Sequence, residues 1–76
     1  MKNLPALNAR QVVRALKQLG FREDHQKGSH LVMYHYLTKR RVVVPVHPGR
    51  TVKKKLLQSI IENDANTTIE EFLKHV

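Results

Sequence analysis

The chain contains no cysteine and no tryptophan. Without thiols it has no disulfide and no thiolate metal site, and a reducing compartment suits it. No apolar run approaches the roughly 20 residues that a membrane span needs. The opening Met1-Lys2-Asn3-Leu4-Pro5 lacks the apolar stretch of a secretory leader. It reads as the start of a complete cytoplasmic protein. Aromatic residues are few, two Tyr and two Phe, and only three Gly and three Pro punctuate the chain. Acid is scarce as well: six Asp and Glu stand against 14 Lys and Arg, for a formal net charge of +8. A length of 76 residues leaves room for one small domain, residues 1–76, with a thin core.

The positive charge that is present is localised. Residues 39–55 hold Lys39, Arg40, Arg41, Arg50, Lys53, Lys54 and Lys55 with no acid among them. Residues 56–76 carry Lys74 against Glu62, Asp64, Glu70 and Glu71. A solvated face is the usual fate of a charge run. So concentrated a block in so small a chain favours a polyanion instead, held through counterion release.

Local signals order the elements. Asn8 and Gln11 have the spacing of a capping box. Val12, Val13, Leu16 and Leu19 follow at helical period, and Gly20 suits the left-handed residue that ends a helix. The first helix is therefore expected over residues 9–19. A strand over 21–26, a turn at Lys27-Gly28-Ser29, a strand over 30–36, a turn over 37–40 and a strand over 41–46 make an antiparallel meander. Pro45 belongs at a sheet edge or strand end. Thr51 is the expected cap of a second helix over 52–62, with Val52, Leu56, Leu57, Ile60 and Ile61 on its apolar face. Thr67 and Glu70 form another capping pattern before a short helix with Ile69, Phe72 and Leu73. The expected class is α+β: an αβββα order plus a short C-terminal helix, a three-stranded antiparallel sheet with its helices on one face.

Lys27-Gly28-Ser29-His30 carries the sharpest chemical signal. Imidazole exchanges a proton near neutral pH, and neighbouring cations hold phosphate, which is what RNA cleavage requires. His30 is the candidate general acid or base at a ribose 2′-hydroxyl. Gly28 allows backbone N–H groups to approach a phosphate, and Ser29 either donates to it or only shapes the turn. Lys27 is placed to stabilise charge on the phosphoryl oxygens. His47 is the candidate second proton carrier. Arg50, Lys53, Lys54 and Lys55 are candidate phosphate contacts. The three lysines fall in the expected first helical turn, where cations oppose the helix dipole by about 0.3–1 kcal/mol each, and a bound phosphate would resolve that conflict. Tyr34 and Tyr36 share a strand face. Bases stack on such pairs, but sheet packing is their expected role. His30 and His35 are an odd number of residues apart and face opposite sides of a strand, so no metal site is expected.

These segments together resemble the HicA-type toxins, small mRNA interferases of toxin–antitoxin modules. The resemblance runs through Leu19-Gly20-Phe21, Lys27-Gly28-Ser29-His30, Val44-Pro45-Val46-His47-Pro48-Gly49, Ile60-Ile61 and Thr68-Ile69-Glu70-Glu71-Phe72-Leu73. It implies a fold like that of a double-stranded RNA-binding domain, a catalytic role for His30, RNA cleavage without metal or other cofactor, arrest of translation and growth, and a HicB-type antitoxin partner. Two other readings of the residues stay open. One is a non-catalytic RNA-binding module of the same fold. The other is a subunit whose basic face meets an acidic partner.

Overall fold

The computed structural model describes residues 4–76. Its element order is α1 (Ala9–Gln18), β1 (Arg22–Lys27), β2 (His30–Tyr34), β3 (Arg41–Pro45), α2 (Lys54–Ser59) continued by a π-helical stretch (Ile60–Asp64), and α3 (Ile69–Leu73). The strands form one antiparallel sheet in the order β1-β2-β3, so β2 is central. This is the expected α+β architecture.

The first helix forms as its ends dictate. Asn8 Oδ1 accepts from the Gln11 N–H and Gln11 Oε1 accepts from the Asn8 N–H, both at 2.9 Å. At the other end Gly20 adopts φ +101. The Phe21 N–H then reaches the Leu16 carbonyl and the Gly20 N–H that of Lys17, closing a Schellman motif. The chain leaves the helix directly into the sheet.

The first hairpin turns on Gly28 and Ser29 alone, since Lys27 pairs with His30 as the last residue of β1. Only Gly28 of these two has positive φ, +59, as a type II′ turn requires. The second hairpin closes where the His35 N–H meets the Arg40 carbonyl at 2.9 Å, so β2 ends two residues earlier than its composition suggests. Lys39 takes φ +64 in that loop.

Burial alternates along β2 and β3. Leu31 and Met33 of β2 and Val42 and Val44 of β3 are buried under the helices, with Val12, Ala15, Leu16, Leu57, Ile60, Ile61 and Phe72. Each large aliphatic or aromatic residue in this set contributes about 1.5–3 kcal/mol. All six residues of β1 are exposed. Its charges and its irregularity between Glu23 and His25 guard that sheet edge against further strand pairing. Pro45 closes β3, at the opposite edge.

Three local expectations give way to tertiary structure. Thr51 does not cap α2. It pairs with Asn8 in an isolated antiparallel bridge, and the Val52 N–H bonds the Leu7 carbonyl at 2.8 Å. The helix therefore starts at Lys54, with Lys53 in the cap position and no side-chain cap. Leu56 is not core but 41% exposed. In the last helix Thr68, not Thr67, accepts from the Glu71 N–H, at 3.1 Å.

Candidate catalytic histidine on an open basic sheet face

All the helices pack on one side of the sheet, so the other face is open. Residues paired across antiparallel strands share a face, and the register then fixes three rows on it. Lys27, His30 and Pro45 form the first. His25, Val32 and Val43 form the second, and Arg22, Tyr34 and Arg41 the third. His30 opens the central strand and is exposed. Directly opposed residues have Cβ atoms about 4.5–5.5 Å apart, so Lys27 flanks His30 on one side and Pro45 on the other.

Partners separate the five histidines. His25 Nδ1 lies 2.7 Å from Asp24 Oδ2. His35 Nδ1 accepts from the Thr38 N–H at 3.2 Å, and its ring meets Phe21 edge-on at 5.1 Å. His75 Nε2 donates to Glu71 Oε2 at 3.0 Å. The imidazoles of His30 and His47 make no hydrogen bond or ion pair among the described residues. These two rings are free to serve a ligand.

The hairpin turn is tied to the end of β3 beside His30. The Ser29 carbonyl accepts from the Val46 N–H at 2.6 Å. Gln26 Nε2 donates to the Gly28 carbonyl at 3.1 Å. Beyond its chain neighbours, no atom lies within 4 Å of where a Gly28 Cβ would stand, so the turn is open on that side. His47-Pro48-Gly49-Arg50 closes its own turn, with the Arg50 N–H on the His47 carbonyl at 3.1 Å and Gly49 at φ +77. That turn brings His47 and Arg50 to a cleft of about 370 Å³ shared with Pro45, Lys53 and Leu56. Pro45 is also the cross-strand neighbour of His30, so the cleft adjoins the histidine. Lys54 and Lys55 are exposed on the first turn of α2 and do not line it.

The carboxylates near this face are occupied. Glu23 is paired with Lys17 at 2.6 Å, and Asp24 with His25. Arg22 and Arg41 have no carboxylate partner among the described residues. No local motif marks either arginine as a site residue. Their shared face with Tyr34 emerges only once the register of all three strands is known.

The structure is thus a small α+β domain whose open sheet face carries His30 at the head of its central strand, with Lys27, Arg22 and Arg41 on the same face and, among the described residues, no partner for the imidazole. The family model described as "HicA toxin of bacterial toxin-antitoxin" matches residues 9–65, which span the first helix, the whole sheet and the second helix. The chain belongs to the HicA toxin family. No curated protein matches it. Among the described residues no helix is long and apolar enough to cross a membrane.

Proposed function

We propose that this toxin is a cytoplasmic endoribonuclease that cleaves mRNA without a metal ion, arrests translation, and is neutralised by a HicB-type antitoxin. The observation that carries the reading is the exposed imidazole of His30 beside Lys27 on the open face, with no hydrogen-bond or ion-pair partner among the described residues. Neutral His30 takes the proton of a ribose 2′-hydroxyl. The O2′ attacks the adjacent phosphorus, the P–O5′ bond breaks, and the products are a 2′,3′-cyclic phosphate and a 5′-hydroxyl. The nucleophile belongs to the substrate, so the protein has only to move protons and hold charge.

Lys27 stabilises the growing charge on the phosphoryl oxygens, and the backbone at Gly28 and Ser29 leaves room for the phosphate to approach. His47 is the candidate donor to the departing O5′. Arg50 and Lys53 reach the same cleft, and Lys54 and Lys55 add positive charge beside it, so together they bind the flanking phosphates. An acidic antitoxin surface laid on this face would cover His30 and compete with RNA for the same cations.

The test is cleavage of an oligoribonucleotide whose one susceptible ribose is replaced by 2′-deoxyribose. The proposal expects cutting at that bond to stop and the all-ribose products to carry cyclic phosphate ends. Cutting that continues through the deoxy position would refute the mechanism. Tight RNA binding with no cleavage of any RNA would favour a non-catalytic binding module.

A further inference from the structure

The far end of the open face carries a feature that the cleavage chemistry does not use. Tyr34 and Tyr36 touch edge-to-face, with ring centroids 5.0 Å apart and planes at 83°. Sheet packing is the role their sequence suggests, yet no helix covers them. Tyr34 is half-buried on the open face and Tyr36 is 55% exposed. The register sets Arg22 on one side of Tyr34 and Arg41 on the other. Tyr36 and Arg22 also wall a cleft of about 510 Å³ with Lys17, Gly20, Phe21 and Glu23.

We infer that Tyr34 and Tyr36, flanked by Arg22 and Arg41, form a stacking site for an unpaired nucleobase of the RNA whose cleaved phosphate sits at His30. The inference rests on the ribonuclease reading above and adds a place where the substrate strand is gripped away from the cut. The chemistry fits one occupant. An exposed aromatic ring offers a π-face to any base, and two guanidinium groups beside it, without a carboxylate partner among the described residues, hold the phosphates on either side. The nearby carboxylates, Glu23 and Asp24, are taken up by Lys17 and His25, so this face presents little to an anionic strand but cations and apolar surface. Val32 and Val43 lie between the two ends, with His25 beside Val32.

The geometry also sets the spacing. Tyr34 is four residues along β2 from His30, about 13 Å at the rise of a strand. That distance spans about four stacked nucleotides at 3.4 Å each, and fewer in an extended strand. The site therefore reads a base a few nucleotides from the cut, on one side only.

A double-substitution cycle tests this. Single abasic riboses are stepped through about four nucleotides on either side of the cleaved bond, and kcat/KM is measured for wild type, Tyr34→Ala and Tyr34→Phe. In wild type one position on one side is expected to cost about 5- to 150-fold, the usual worth of a stacked base. In Tyr34→Ala the same abasic change should cost almost nothing, while Tyr34→Phe keeps the wild-type pattern. A poorly folded variant would slow every substrate alike and leave the abasic effect intact, so it does not mimic this result. The inference is overturned if the two losses multiply independently, if no abasic position matters, or if Tyr34→Ala weakens antitoxin binding with RNA cleavage unchanged. Wild-type protein that cleaves no RNA would overturn the ribonuclease reading itself, and this site with it.

Discussion

Gly20 offers a sharp test of how the sheet is anchored. Its φ of +101 is one that L side chains rarely adopt, at a cost of about 1–3 kcal/mol for a non-glycine residue. A methyl group there would also stand 2.5 Å from His35 Nε2 and 3.0 Å from its Cδ2. The imidazole must then swing away. That forfeits its edge contact with Phe21, about 0.5–1.5 kcal/mol, and the bond from the Thr38 N–H, about 1 kcal/mol. Stiffening of the unfolded chain by alanine returns about 0.4–1 kcal/mol. Gly20→Ala is therefore expected to destabilise by about 2–4 kcal/mol, a Tm drop on the order of 10–25 °C for a domain this small. In a His35→Ala background the collision is gone, and the same substitution should cost about 1.5–2.5 kcal/mol less. Urea denaturation of the four proteins measures that coupling. Equal costs in the two backgrounds would show that His35 does not close over Gly20. The helix exit and the loop that presents Tyr36 would then be held by something else.

Gly28→Ala meets no atom beyond its chain neighbours and should cost only the strain of a positive φ, about 1–3 kcal/mol, by the same urea assay. Asn8→Ala breaks the capping box and should cost about 1 kcal/mol, with the effect confined to stability and not to RNA cleavage. The Glu71 carboxyl is held below its ordinary range by the hydrogen bond from His75 and then by the charge of Lys74. A lowered carboxylate stabilises the fold above its unfolded value and loses that contribution as pH falls through the folded one. Wild type should thus exceed Glu71→Gln in Tm at neutral pH, and the gap should close in acid. For RNA binding, Lys53→Glu with Lys54→Glu should flatten the dependence of log K on log salt, by about 0.7 for each phosphate that the protein no longer neutralises.

Much of the fold was legible because its signals are local. Asn8, Gln11 and Gly20 fix the ends of α1 within a turn of themselves, and Gly28 fixes the first hairpin. The start of α2 was not, because Thr51 is claimed by Asn8, a partner distant in sequence. The π-helical stretch has no side-chain signature either; the Ala65 N–H simply reaches the Ile60 carbonyl, five residues back. At the site, His30 and its turn could be singled out from the sequence. The open face could not. Leu31-Val32-Met33 is apolar at both parities, so composition alone does not say which side the helices cover. Only burial of Leu31 and Met33 shows that Val32 and Tyr34 look outward, and only the three-strand register adds Arg22 and Arg41.

The role of His30 is tested most directly by incubating purified RNA with wild type and with His30→Ala, both in excess EDTA, with circular dichroism to confirm that the variant folds. The proposed chemistry predicts that wild type cleaves despite the chelator and that the folded variant is slower by about 10²–10⁴-fold or more. Cleavage by folded His30→Ala at the wild-type rate, or wild-type activity that EDTA abolishes, would contradict it.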